Sequence, residues 1–101
     1  MSELYTQFDS TFFEKTRLSI MTIIFQEDKV SFTQLKDKLN ATDGAIYTHL
    51  EKLVTGGYVS KTKEIAGTSV QTIYSLTEEG HQTFSNYIQF LETILSQKTG
   101  G

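Results

Sequence analysis

Hydrophobic and polar residues follow one another along this chain of 101 residues in spacings that predict four helices and one β-hairpin. The first apolar run, residues 8–26, covers more than the narrow stripe of a helix that faces a single core. We therefore expect a first helix buried on two sides, one against its own domain and the other against a partner. A polar break at residues 27–29 follows it.

Two short helices are predicted next, over residues 31–39 and 42–55. Ser31 followed by Gln34 matches a capping box, and Thr42 has the chemistry of a second N-cap. Two short helices joined by a tight connection are typical of a helix-turn-helix. The second helix is then the one that such a motif presents to DNA.

The helix over residues 42–55 combines a buried stripe with a small, polar front. Apolar residues spaced for one helical face are Ile46, Leu50, Leu53 and Val54. The opposite face consists of Gly44, Ala45, Tyr47, Thr48, Glu51 and Lys52. Gly56 and Gly57 are expected to end the helix, because glycine readily adopts the left-handed conformation of a helix C-terminus.

Period-two alternation and β-branched residues replace the helical spacing after Gly57, and they predict a β-hairpin over residues 58–76. Small turn residues at 66–69 form its tip. Thr77 then begins a last helix over residues 77–97. That helix carries more apolar residues than so small a domain can cover, so we expect it to pack against a second copy of the chain.

Composition removes several classes of function. The chain has no cysteine and two histidines, so neither a metal site nor a cofactor is expected. No glycine-rich phosphate loop or catalytic constellation stands out, which argues against an enzyme. No apolar run is long enough to span a membrane and the first residues do not form a signal peptide, so we expect a cytoplasmic protein without a membrane partner.

The distribution of charge along the chain is more informative about a binding partner than the net charge. The net charge of −3 disfavours a nucleic-acid partner, but residues 29–63 contain six lysines against three acidic residues. The positive charge is therefore concentrated around the predicted helix-turn-helix. This modest basic patch favours double-stranded DNA as a partner.

Four segments also carry a family resemblance: RLSIM at 17–21, FTQLKDKL at 32–39, TDGAIYTHLEKLVTGGYV at 42–59 and TIYSLTEEG at 72–80. With the aromatic helix that follows, they resemble the small stand-alone winged helix-turn-helix transcriptional regulators, relatives of the MarR, ArsR and PadR groups. The resemblance covers about residues 10–95. It implies a mainly α fold with a β-hairpin wing, in the order helix, helix, helix, strand, strand, helix.

The resemblance further implies a homodimer, held by the first and last helices, that binds palindromic operators. The helix at 42–55 would enter the major groove beside the wing at 58–76, with paired helices roughly 34 Å apart. The DNA-contacting residues implied are Ser31, Thr33, Thr42, Gly44, Ala45, Tyr47, Thr48, Glu51, Lys52, Lys61, Lys63, Thr68, Ser69 and Gln71. The dimer residues implied are Phe12, Phe13, Phe84, Tyr87, Ile88, Leu91, Ile94 and Leu95.

The sequence leaves several roles open. Tyr47 and Thr48 either read bases or are solvated surface residues, and the lysines either contact phosphates or remain in water. Arg17 reaches either a phosphate or an acidic group of a partner. The aromatic residues of the first and last helices form either a dimer core or a pocket for an apolar effector, for which the sequence gives no direct support.

The wing tip departs from the family pattern. Residues 66–71 carry no charge and the helix at 42–55 has no arginine, which predicts weak non-specific binding with a shallow salt dependence. A DNA-binding repressor that occupies an operator is the leading interpretation. The rivals are a winged-helix protein–protein module that has lost DNA binding and a ligand sensor that uses the aromatic groove.

Overall fold

The computed structural model describes residues 8–98, which form four helices and a three-stranded antiparallel sheet. The helices are α1 (Lys15–Glu27), α2 (Phe32–Leu39), α3 (Asp43–Thr55) and α4 (Glu78–Lys98). The strands are β1 (Val30–Ser31), β2 (Val59–Ala66) and β3 (Ser69–Leu76), in the order β1-β3-β2. The predicted mainly α fold with a β-hairpin wing is confirmed, with one strand added.

The added strand is β1, which pairs antiparallel with β3 through Val30 opposite Tyr74 and Ser31 opposite Ile73. Two residues are too few to show an alternation of polar and apolar positions. Ser31 is also the N-cap of α2, so the local signal at this position is that of a helix. Only the pairing with β3 makes the segment a strand.

Helix α1 begins after Glu14, and the prediction of a helix from Phe8 onward is wrong. The Asp9 carboxylate accepts the backbone N–H of Phe12 at 2.9 Å, and Glu14 accepts that of Arg17 at 2.9 Å. Acidic side chains that bind nearby N–H groups stabilise turns and helix starts in place of helix interior. Because Phe8 and Phe12 are still buried, their spacing imitated a longer helix.

The predicted caps of the helix-turn-helix are confirmed. Ser31 Oγ accepts the N–H of Gln34 at 3.1 Å, and Gln34 Oε1 accepts the N–H of Ser31 at 2.8 Å, which completes the capping box. Asn40, in the left-handed conformation with φ of 50°, ends α2. Thr42 begins α3 by accepting the N–H of Ala45 at 3.3 Å.

The end of α3 is a Schellman motif. The N–H of Tyr58 binds the carbonyl of Leu53 at 3.0 Å, and that of Gly57 binds the carbonyl of Val54 at 3.0 Å. Gly57 supplies the left-handed residue, with φ of +87°. Helix α3 therefore ends in satisfied hydrogen bonds directly where the wing begins.

The start of helix α4 is hydrogen-bonded to the residues that end α3. Thr77 Oγ1 accepts the N–H of Gly80 at 2.9 Å and donates to the carbonyl of Gly57 at 2.6 Å. The N–H of Thr77 binds the carbonyl of Tyr58 at 3.0 Å. A Cβ atom at Gly80 would lie 1.9 Å from that carbonyl oxygen, so only glycine allows this close approach.

The core lies between α1, α3, the sheet and the first half of α4, and its fully buried side chains include Phe12, Ile20, Met21, Ile24, Leu35, Ile46, Leu50, Leu53 and Tyr74. Aromatic rings from residues 8–13 pack against α4, with Phe8 and Phe12 at 5.7 and 5.8 Å from the ring of Tyr87. Over residues 8–98, no helix has the length and apolar character needed to cross a membrane.

Candidate nucleic-acid interface

The outer face of α3 is small and polar, as predicted. Ile46, Leu50 and Leu53 have no exposed surface, and between them the helix turns Tyr47, 53% exposed, toward solvent. Residues 42–45 and Thr48 are also exposed. Apart from its chain neighbours and the backbone of α3 itself, no atom lies within 4 Å of a Cβ built on Gly44, so the start of this face offers an open approach to the backbone.

Thr48 already uses its hydroxyl proton. Its Oγ1 donates to the carbonyl of Gly44, one turn earlier, at 2.9 Å. The side chain therefore presents a methyl group and acceptor lone pairs to anything that lies against α3. These suit the methyl of thymine or a base amino group.

Glu51 and Lys61 connect α3 to the wing. Lys61 Nζ donates to Glu51 Oε2 at 2.7 Å, and this bond raises the pKa of the lysine above its usual value. The same Nζ lies 6.0 Å from the centre of the Tyr47 ring. The acidic group on the predicted DNA face is thus neutralised from within the chain, and Lys61 has to leave it to bind a phosphate.

Two further lysines of the basic segment are paired. Lys36 Nζ lies 2.8 Å from Asp43, and Lys29 Nζ lies 3.6 Å from Glu64. Within residues 8–98, the lysines of this segment without a carboxylate in salt-bridge range are Lys38, Lys52 and Lys63. Half of the local positive charge is therefore already balanced by neighbouring acids.

The register of the hairpin sorts its side chains onto two faces. Lys61 lies opposite Tyr74 and Lys63 opposite Thr72, and these residues share the face that packs toward α3. With Phe32 and Tyr47 they line an open cleft of about 420 Å³ between α2, α3 and the wing. The implied contacts at Ser69 and Gln71 lie on the opposite face, and Thr68 lies in the turn.

The two implied contacts on α2 differ. Thr33 is exposed in the first turn. Ser31 is only 6% exposed and its hydroxyl is engaged in the capping box. Ser31 is therefore a buried capping residue of α2, and the expectation that it contacts DNA is corrected.

Arg17 has a role that the sequence left open. It is 8% exposed, and its Nε and a terminal nitrogen donate to the carbonyls of Thr11 and Ser10 at 2.6 and 3.2 Å. The other terminal nitrogen lies 3.1 Å from His49 Nδ1 on α3. Because a guanidinium only donates, this imidazole nitrogen is its acceptor. The sole arginine of the chain thus supports α3 from behind.

No local signal could have shown this contact. Arg17 is separated from His49 by 32 positions, and a basic residue in an amphipathic helix is ordinarily a surface residue. The sequence offered one indirect indication that this residue is unusual: Arg17 is the only arginine of the chain and lies within an apolar run.

The implied dimer residues separate into two groups. Phe12 and Phe84 are 0% and 3% exposed within their own chain, so the expectation that they face a partner is corrected. Phe13 and Tyr87 are half-buried against the core. Farther along α4, Ile88 and Leu91 are each 38% exposed and Leu95 is 64% exposed, with Ile94 half-buried beside them.

The aromatic residues considered for an effector pocket pack against one another. The ring centre of Phe8 lies 5.4 Å from that of Phe12 and 6.4 Å from that of Phe90, and the ring centres of Phe25 and Phe84 are 4.9 Å apart. Tyr5 lies outside the described residues. Within residues 8–98, no group of three or more acidic or histidine side chains is placed to hold a metal ion.

Comparison with known proteins places this geometry in a family. A family model described as a winged helix DNA-binding domain matches residues 16–95. The uncharacterized protein MJ0432 of Methanocaldococcus jannaschii is 38% identical over 72 residues, which cover 71% of this chain and 78% of that protein.

Solved structures share the fold. A transcriptional regulator homologue from Pyrococcus horikoshii superposes with a TM-score of 0.79 at 23% identity, over 90% of each chain. Bacillus subtilis PadR, solved in complex with operator DNA, superposes with a TM-score of 0.65 at 20% identity, over 74% of this chain and 47% of PadR. The chain belongs to the winged helix DNA-binding domain family.

Proposed function

We propose that this protein is a homodimeric transcriptional repressor that binds a palindromic operator with α3 in the major groove. The observation that carries the proposal is the placement of the exposed polar face of α3 beside the lysine-bearing face of the wing, where Tyr47, Lys61 and Lys63 line one open cleft. A helix of this kind fits the roughly 12 Å width of the major groove. Bound there, the protein represses by excluding polymerase from the operator.

The roles within the interface differ. Tyr47 and Thr48 lie centrally on α3 and contact base edges. Within residues 8–98, Lys52 and Lys63 have no carboxylate in salt-bridge range, and they contact phosphates. Thr48→Ala should therefore change which sequences are preferred, and Lys52→Ala should weaken all sequences alike. Equal effects of both substitutions on every sequence would contradict these roles.

Binding to duplex DNA tests the proposal directly. We expect fluorescence anisotropy to detect binding to random-sequence duplex at about 20 mM salt and a shallow decrease in affinity toward about 200 mM, because three of the six lysines in residues 29–63 are already paired with acids. Selection from a random DNA pool should then return a palindrome. A correctly folded protein with no affinity for any duplex at about 20 mM salt would favour the protein–protein module, whose support is the pairing of Lys29, Lys36 and Lys61 with acids.

The dimer is proposed from the exposed apolar stripe of α4. Ile88, Leu91 and Leu95 recur at helical spacing on one face beyond the part of α4 that covers the core. Leu91→Glu with Leu95→Glu should elute as a monomer on size exclusion. The charge-matched control, Gln89→Glu with Gln97→Glu on exposed positions of the same helix, should leave the dimer intact. An unchanged elution of the leucine variant would contradict this interface.

A further inference from the structure

An open cleft of about 680 Å³ lies between α3 and the segment that precedes α1. Ser10 and Thr11 of that segment line it together with Arg17 and the outer face of α3. Arg17 holds these parts together, because it donates to the carbonyls of both residues and contacts His49 on α3. The segment also lies close to the end of α3, where a Cβ atom at Gly56 would be 3.0 Å from the methyl carbon of Thr11. The walls of the cleft are therefore fixed relative to one another.

Arg17 brings a buried positive charge to this cleft. It is 8% exposed, and its hydrogen-bond partners are two backbone carbonyls and an imidazole. Among residues 8–98, no carboxylate lies in salt-bridge range of the guanidinium, and Glu14 uses its own carboxylate to cap α1. A buried charge costs free energy unless an opposite charge accompanies it. The guanidinium therefore favours an anion in the cleft that it lines.

Lys52 adds a second positive charge to the same cleft. It is exposed, and it has no carboxylate in salt-bridge range in the described part of the chain. Because Lys52 follows His49 by three positions, it lies on the neighbouring turn, beside the imidazole that Arg17 contacts. Glu51 also lines the cleft, but Lys61 neutralises it at 2.7 Å. The cleft thus combines two cations with an acid that is already paired.

The charge and the uncharged lining residues together suit a phosphate monoester. Such a group carries a charge of about −1.5 to −2 near pH 7, which matches two cations better than the single charge of a carboxylate does. Ser10, Thr11 and Thr55 supply hydroxyl groups, which donate to phosphate oxygens as charged nitrogens do. Tyr47 lines the cleft and is 53% exposed, so its ring is available to a planar organic group.

We propose that this cleft binds a small phosphate monoester that carries a planar organic group, and that the bound ester excludes DNA. Arg17 and Lys52 hold the phosphate, and Tyr47 stacks on the planar group. Tyr47, Thr48 and Lys52 line the cleft and are also the proposed DNA contacts on α3, so ester and operator compete for one surface. The ester therefore acts as an inducer that releases the repressor. The exclusion of DNA rests on the proposed function, whereas the binding of the ester does not.

Direct binding in the absence of DNA tests the site, with phenyl phosphate as the probe and the full chain as the protein. In an NMR titration we expect saturable shifts of the amide resonances of residues 10–17 and 47–56, with those of residues 88–98 unchanged. Phenyl sulfate has the same ring with a single negative charge and should bind about tenfold more weakly. Equal affinity for the two probes, or no binding of phenyl phosphate, would overturn the site.

Variants at the two cations test how the phosphate is held. Lys52→Gln should weaken phenyl phosphate about tenfold and reduce its advantage over phenyl sulfate. Lys38→Gln removes an exposed lysine that lies outside the cleft and should bind as the wild type does. Arg17→Lys keeps the charge but loses the planar fork, so it should also weaken the probe, and circular dichroism melts check its fold. Wild-type affinity in Lys52→Gln would overturn the proposal whatever the Arg17 variant shows.

Competition separates a free ester from the DNA backbone as the source of the phosphate. At fixed ionic strength, phenyl phosphate should lower the affinity for a duplex selected by the wild type, and phenyl sulfate should lower it less. Simultaneous binding of duplex and phenyl phosphate would overturn the exclusion of DNA. Binding of duplex alone, with protection of residues 10–17, would assign the cleft to a backbone phosphate and overturn the ester site. Binding of phenyl phosphate by a protein that binds no duplex would overturn the proposed function and support the ester site.

Discussion

Helix α3 and the wing lie side by side, yet the chain holds them differently. Helix α3 buries three apolar side chains completely, is capped at both ends and is supported by Arg17 through His49. The outer wing buries nothing between residues 61 and 70 and is held by its strand ladder, by the bond from Lys61 to Glu51 and by the ion pair between Glu64 and Lys29. A segment with few buried contacts is distorted at little free-energy cost, so we expect α3 to set position and the wing to adapt.

The largest effect should come from the point where the two regions join. Gly80→Ala places a methyl group 1.9 Å from the carbonyl oxygen of Tyr58. Because backbone has to move, we expect a loss of about 3 kcal/mol in the free energy of unfolding, measured by urea denaturation. Gly44→Ala, with open space around its Cβ, is the control and should be neutral or slightly stabilising. Equal stability of the two variants would show that the close approach does not constrain the fold.

The second-largest loss of stability should come from removing the hydrogen bonds that Arg17 makes to His49 on α3 and to the N-terminal segment. Arg17→Met keeps apolar bulk but loses three hydrogen bonds from a buried guanidinium, so we expect a loss of about 2 kcal/mol in unfolding free energy. Hydrogen exchange should accelerate in residues 43–55 more than in residues 59–76. Lys15→Met, two positions earlier and exposed, is the matched control. Uniform acceleration in both regions would contradict a selective support of α3.

A smaller, pH-dependent effect is expected where the N-terminal segment meets the start of the wing. The Tyr58 hydroxyl donates to Asp9 at 2.6 Å, and this bond holds the pKa of the carboxyl below its usual value. A depressed pKa stabilises the fold above the unfolded value, about 3.9, and the stabilisation disappears as pH falls through the folded value. Asp9→Asn leaves one of its two donors facing an NH₂ group and should cost about 1 kcal/mol near pH 7.

Thermal melts between about pH 3 and pH 7 check this prediction. The difference between wild type and Asp9→Asn should shrink in the acid range, where the wild-type carboxyl is also protonated. A double-mutant cycle with Tyr58→Phe isolates the pair. A difference that stays constant down to pH 3 would rule out the carboxylate charge as its cause.

The smallest structural change should affect only the adaptable region. Glu51→Gln frees Lys61 from its carboxylate, so the wing gains one cation available for phosphate. We expect the salt dependence of DNA binding to steepen by about 0.9 in slope, with no shift in thermal midpoint. Glu92→Gln makes the same charge change at an exposed position of α4 and should leave the slope unaltered. A slope unchanged by Glu51→Gln would mean that Lys61 contacts no phosphate.

Local chemistry explains which parts of the fold were predictable. Ser31 with Gln34, Thr42 and Thr77 each satisfy helix N–H groups a few residues away, so their signals are complete within the sequence. The buried stripe of α3 is likewise periodic. These features confirm the predicted fold class from the residues that begin and end each element.

What escaped prediction depends on residues far apart in the chain. Strand β1 exists only through β3, and the buried Arg17 is held partly by His49, 32 positions away. Phe12 and Phe84 had the spacing of partner-facing residues, but the chain folds residues 8–13 back onto α4 and covers them itself. Helical periodicity reports that a face is buried and not what buries it.

The contact of Gly80 with Tyr58 has a consequence for operator geometry. In the proposed dimer, α4 carries the partner, and its first turn is fastened to the end of α3 without an intervening loop. The angle between the two α4 helices would then be transmitted directly to the separation of the two reading helices. One base pair inserted between half-sites adds about 3.4 Å and about 35° of rotation. Because this connection between α3 and α4 is rigid, we expect the dimer to bind much more weakly to an operator with that insertion. The spacing between half-sites is then recognised along with their sequence.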